Sequence, residues 1–90
     1  MGIALVKIRL MPDSPDADLD EMRKEAEEIV SKHNGKMSQV DKEPIAFGLV
    51  ALVIGFSIPE SQELEPLEEA LGQITNVNSV QVVDMRRAFG

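Results

Sequence analysis

Glu43-Pro44-Ile45-Ala46-Phe47-Gly48-Leu49 runs directly into Val50-Ala51-Leu52-Val53-Ile54-Gly55-Phe56-Ser57, and this stretch decides the fold. Pro44 has no N–H to give to a ladder, so it marks a corner at a sheet edge. From Phe47 to Ser57 the chain is apolar at odd and even positions alike, the pattern of a central strand. Pro59 ends it. On the N-terminal side of the corner, Lys36 to Glu43 is short and polar, with Met37 and Val40 its main apolar residues. That composition suits an edge strand.

Moving outward, residues 3–11 read as another strand, with Ala4, Val6, Ile8 and Leu10 on one face and Ile3, Leu5, Lys7 and Arg9 on the other. Pro12 to Pro15 break it. Asp18 and Glu21 have the spacing of a capping box, and Leu19, Met22, Ala26, Ile29, Val30 and His33 then recur at helical spacing. A helix over 18–33 follows, stopped by Asn34-Gly35, where glycine is expected to take the left-handed conformation beyond the last turn. Leu64, Leu67, Leu71 and Ile74 give a second amphipathic helix, with Pro66 tolerable only in its first turn. Thr75-Asn76 leads into a last strand, about Val77 to Arg87. The order is β-α-β-β-α-β. Right-handed crossovers then put both helices on one face of a four-stranded antiparallel sheet with the first and third strands central, an α+β, ferredoxin-like sandwich over residues 1–90. Leu19, Met22, Ile29, Leu67, Leu71 and Ile74 are its expected helical core.

Composition removes several function classes. There is no cysteine, hence no disulfide, thiolate metal site or thiol nucleophile. The longest apolar run, from Ile45 to Phe56, is well short of the ~20 residues that span a bilayer, and no secretion signal is visible, so a cytoplasmic protein is expected. The net charge is −7. It is concentrated in residues 13–28, with eight acids, and residues 60–69, with five. Both segments read as solvated helix faces rather than magnesium sites. A nucleic-acid binder needs a broad basic footprint, and this chain repels phosphate over much of its surface. His33, the one histidine, sits near a helix C-terminus and reads as a half-buried partner of the helix dipole. The glycines are too scattered for a phosphate loop. No acid–base or nucleophile constellation emerges, and no catalytic residue, metal or cofactor is expected.

Two features are left for function. The third strand is apolar on both faces, while two helices cover only one. Either Phe47, Leu49, Ala51 and Val53 or Val50, Leu52, Ile54 and Phe56 must face away from them. Such a surface marks an interaction site unless the outward residues simply support the strand. The second feature is the ending Val82-Val83-Asp84-Met85-Arg86-Arg87-Ala88-Phe89-Gly90, which places paired arginines at a strand end on an otherwise acidic chain. Successive strand residues point to opposite faces, so one arginine faces the helix side and the other does not. Taken alone, they read as edge charges that deter aggregation.

Five segments together resemble the exchange domain of translation elongation factor one beta in its compact archaeal form. They are Val-Lys-Ile-Arg-Leu-Met-Pro-Asp-Ser-Pro-Asp at 6–16, the acidic first helix, Pro-Ile-Ala-Phe-Gly-Leu at 44–49, the acidic second helix, and Ser-Val-Gln-Val-Val-Asp-Met-Arg-Arg at 79–87. The resemblance implies a guanine nucleotide exchange factor for elongation factor one alpha, the GTPase that delivers aminoacyl-tRNA. In the eukaryotic members a lysine near the C-terminus enters the magnesium and phosphate region of the GTPase; its position falls on Arg87, where this chain has arginine. The aromatic of the family's Gly-Tyr/Phe-Gly turn falls on Phe47, with Ala46 in place of the first glycine. The resemblance therefore implies Phe47, Arg86 and Arg87 as partner-binding residues, with no direct contact to nucleic acid or membrane. The same topology also serves RNA-binding domains, which carry aromatics on the open sheet face, and small-ligand regulatory modules, which usually dimerise through the sheet.

Overall fold

Even-numbered residues of the first strand all point to one side, and they set the buried face of the sheet. In the computed structural model, which describes residues 2–89, β1 (Ile3–Pro12) alternates between exposed or half-buried odd positions and buried even ones. It is followed by α1 (Leu19–Lys32), β2 (Lys36–Pro44), β3 (Val50–Pro59), α2 (Glu65–Gly72) and β4 (Val77–Phe89). The strands form one antiparallel sheet in the order β2-β3-β1-β4, so β1 and β3 are central, as expected. In the β1–β3 ladder Ala4 lies opposite Ile58, Val6 opposite Phe56, Ile8 opposite Ile54 and Leu10 opposite Leu52. This set joins Met22, Ala26 and Val30 of α1 and Leu67 and Leu71 of α2 in a continuous core. Both helices therefore cover the same sheet face. Ile74, just beyond α2, is buried with them, while Leu19 and Ile29 pack against the core half-buried. Each fully buried Leu, Ile, Phe or Met side chain contributes about 1.5–3 kcal/mol relative to exposure.

The helix ends follow from local chemistry. Asp18 stays extended and its side chain accepts the Glu21 N–H at 3.1 Å, satisfying one of the free donors of the first turn. His33 is the C-cap of α1, and its Nδ1 lies 2.8 Å from the Ile29 carbonyl oxygen, a structural role for the lone histidine. The turn that follows departs from expectation. Asn34, not Gly35, takes the left-handed conformation, with φ of 66°. Asparagine tolerates that region, so glycine is needed here for a different reason. A Cβ on Gly35 would lie 2.7 Å from Val30 Cγ1 and 3.1 Å from the Val30 carbonyl oxygen. The chain leaves α1 in contact with its own last turn, and only glycine fits. Gly35→Ala is expected to destabilise the domain by about 1–3 kcal/mol, as overpacking does, read as a lower midpoint in urea unfolding. Pro66 stands in the first turn of α2, where its missing N–H costs nothing.

Strand boundaries also differ from the sequence reading, β1, β2 and β3 running through Pro12, Pro44 and Pro59. β3 begins at Val50 rather than Phe47, because residues 45–49 form the hairpin loop between β2 and β3. β4 extends to Phe89, whose backbone pairs with Ile3. Its ladder with β1 is interrupted: Asp84 lies opposite Lys7 and Val82 opposite Ile8, leaving Val83 as an extra residue. This bulge reverses which of the residues Asp84 to Arg87 face the helices.

Candidate functional site

The outward face of β3 presents Ala51, Val53, Gly55 and Ser57, which alternate with the helix-facing Leu52, Ile54 and Phe56. Of the two alternate sets, the one containing Ala51 and Val53 faces away from the helices, and these residues, buried and half-buried, support the strand. What remains is covered. Arg9 of β1 reaches across β3 to Glu43 of β2, Nη2 to Oε1 at 3.2 Å, and donates from Nη1 to Gln81 of β4 at 3.1 Å. Ala51 beneath this bridge has no exposed surface. Lys7 and Gln39 flank Gly55 in the same way. The middle of the open face is thus a polar lattice spread over all four strands.

The candidate residues lie at the two ends of the sheet. At one end, Ile45 N–H donates to the Leu49 carbonyl at 2.8 Å and Leu49 N–H to the Ala46 carbonyl at 3.1 Å. Between them, Phe47 and Gly48 both have positive φ, 59° and 79°, the pattern of a tight primed hairpin turn. A left-handed phenylalanine is costly, on the order of 1 kcal/mol, and the turn's hydrogen bonds hold it there. The result is a ring 95% exposed on the tip of a rigid loop. Burial does not explain this residue.

At the other end, Arg87 lies opposite Ala4 on the helix side, and Arg86 lies opposite Leu5 on the open side. The two arginines do face opposite ways, as expected. Arg86 donates from Nε to Asp84 Oδ2 at 3.1 Å, a pairing of neighbours on one strand face. Arg87 pairs through Nε with Glu60, in the loop between β3 and α2. Both guanidinium side chains are largely exposed, 75% for Arg86 and 70% for Arg87. Beneath Arg87 an open notch of about 380 Å³ is lined by Ala4, Ile58, Leu64 and Met85. Ile3 and Leu5, nearly half exposed, flank Arg86 on the open side.

The structure does not bring Phe47 and the arginines together. Arg87 is level with Ile58 through Ala4, and Val50 begins the strand eight residues earlier. At ~3.3 Å per residue that separation is roughly 26 Å before the loop is added. Glu60 escaped the sequence reading because its link to Arg87 depends on the β4 register, which no local pattern reveals.

Among the described residues, the sheet carries a pair of exposed arginines at one end and an exposed aromatic at the other. The EF-1 guanine nucleotide exchange domain family model matches residues 5–88, and the chain belongs to that family. Elongation factor 1-beta of Methanothermobacter thermautotrophicus is 39% identical over 97% of this chain and 98% of its own length. Elongation factor 1-beta of Methanosarcina barkeri is 36% identical over 97% and 99%. Among solved structures, the ACT domain from the GTP pyrophosphokinase of Chlorobium tepidum superposes with a TM-score of 0.61 at 16% identity, covering 88% of this chain and 96% of its own. The C-terminal domain of MgtC from Mycobacterium tuberculosis gives 0.64 at 12%, covering 97% and 87%. At those identities the likeness is one of fold alone. Among the described residues, no helix is long and apolar enough to cross a membrane.

Proposed function

We propose that this protein promotes release of GDP from elongation factor one alpha, allowing GTP to load, and that Arg87 and Phe47 touch the GTPase at separate places. The observation that carries the reading is Arg87, a largely exposed guanidinium at a sheet end in a member of an exchange-domain family. A cation brought beside a bound magnesium is repelled by the metal and attracted to the metal's carboxylate ligands and to phosphate. Both effects loosen the ion and with it the nucleotide. Arginine adds a planar fork that pairs with carboxylate or phosphate through two parallel bonds. Arg86, tied to Asp84 on the other face, assists less. No covalent step is required. Coupling is reciprocal: whatever factor the protein takes from nucleotide affinity, nucleotide takes from the protein's affinity.

RNA binding by the same topology lacks support. Phe56 points into the core and Phe47 stands on a loop, so neither offers a stacking platform on the open face. The small-ligand regulatory reading gains nothing from the likeness to the ACT domain, which concerns fold alone.

The test is release of a fluorescent GDP analogue from purified elongation factor one alpha of an archaeal relative. Substoichiometric protein is expected to accelerate release with repeated turnover. Release at the spontaneous rate at every protein concentration would refute the function.

A further inference from the structure

Arg87 is held by an acid that is itself firmly placed. Glu60 follows Pro59 directly at the end of β3. Its N–H donates to the Gly2 carbonyl at 3.0 Å, and the Gln62 N–H returns to the Pro59 carbonyl at 3.0 Å, closing a turn around it. Gln62 Oε1 in turn accepts from Asn34 Nδ2 at 3.0 Å, which ties the loop to the turn after α1. The side chain of Glu60 is 28% exposed and that of Arg87 is 70% exposed. The acid is therefore the fixed post and the guanidinium the projecting arm. Their closest approach is through Nε, the guanidinium nitrogen nearest the stem, so the terminal nitrogens lie farther out. A contact there sets the direction of the guanidinium plane while leaving its outer edge for a second partner. Arg86 differs in that its acid, Asp84, lies two residues away on the same strand, so that pair links β4 only to itself.

We propose that Glu60 is a positioning residue for nucleotide exchange: it orients Arg87 so that the guanidinium enters the magnesium and phosphate region of the GTPase already aligned. The proposal rests on reading Arg87 as the intruding cation. A free arginine side chain samples many rotamers and loses that freedom when it enters a slot. Holding it in advance shifts the loss to folding and lowers the barrier to the exchange step. Docking is largely unaffected, because Glu60 need not touch the partner.

The experiment compares Glu60→Gln, Arg87→Ala and the double variant in the full chain, by stopped-flow release of fluorescent GDP at increasing protein concentration. Glu60→Gln is expected to lower the maximal release rate about two- to five-fold, the range set by an exposed ion pair, with the half-saturating concentration nearly unchanged. On the Arg87→Ala background it is expected to change nothing further, and Glu60→Asp, which keeps the charge, is expected to recover part of the rate. A slow Arg87→Ala beside a wild-type Glu60→Gln overturns the positioning role alone. Acceleration by Glu60→Gln also overturns it, since the acid would then be a restraint. Equal slowing on both backgrounds would assign Glu60 to loop architecture instead. Wild-type release by Arg87→Ala is a different result, because it removes the reading of Arg87 on which the proposal stands.

Discussion

Arg87→Ala is expected to slow GDP release on the order of 10²-fold, the scale of losing one well-placed electrostatic group, while the dissociation constant of the complex rises far less. The asymmetry follows from where the side chain sits. It projects from the sheet end, makes one ion pair, and fills no part of the core, so its removal leaves the fold and the rest of the docking surface intact. Arg87→Lys separates two explanations. If positive charge is the main requirement, lysine retains substantial activity; if the planar two-bond fork matters, it does not. An edge charge serving only solubility predicts little change from either substitution. Stopped-flow release beside a separate equilibrium titration decides among these outcomes, and unaltered release by Arg87→Ala ends the assignment.

Phe47→Ala is expected to weaken the complex by about 2 kcal/mol, roughly 30-fold in Kd, as truncation of an interface anchor does. The isolated domain should melt at the wild-type temperature, because a ring that is 95% exposed contributes almost no burial. Phe47→Gly makes the case sharper. Glycine relieves the left-handed strain at φ of 59° and gives part of the gain back through its greater freedom when unfolded. Stability should therefore hold or rise by up to about 1 kcal/mol while binding falls as in the alanine variant. Normal titration with a sharply lowered melting temperature would instead make Phe47 a fold residue.

Much of this architecture was legible because one physical signal dominated each element. The alternation of β1, the cap at Asp18, the spacing of Leu67 and Leu71, and the unbroken apolar run of β3 each express burial directly in sequence. The errors came where two signals competed. Asn34 and Gly35 can both follow a helix, and the steric contact with Val30 that decides between them is a tertiary fact. Phe47 continued an apolar run, yet it belongs to a turn whose hydrogen bonds outweigh its strand propensity. Which alternate set of β3 faces outward, and whether it docks a partner, stays open in a strand apolar at every position; Ala51, Gly55 and Ser57 are small, and Arg9 covers the gap. The bulge at Val83 explains why periodicity left open which arginine faces the helices. Counted onward from Val82 without the bulge, Arg87 falls on the open side, and the extra residue returns it to the side of Glu60. The partner-binding assignment of Phe47, Arg86 and Arg87 came from resemblance, and the fold adds to it only their placement.

The separation of the aromatic and cationic ends has a consequence for how binding strength is built. A molecule 42 Å long and only 20 by 18 Å across, with four paired strands between its ends, behaves as a stiff spacer. Under the proposed contacts, once one end engages the GTPase the other meets its target as an intramolecular event, at an effective concentration fixed by geometry instead of by dilution. That advantage exists only while the two target points on the GTPase stay a matching distance apart. A nucleotide that changes their spacing then alters affinity without touching either contact. A rigid two-ended binder of this kind can sense the GTPase's conformation with no moving part of its own.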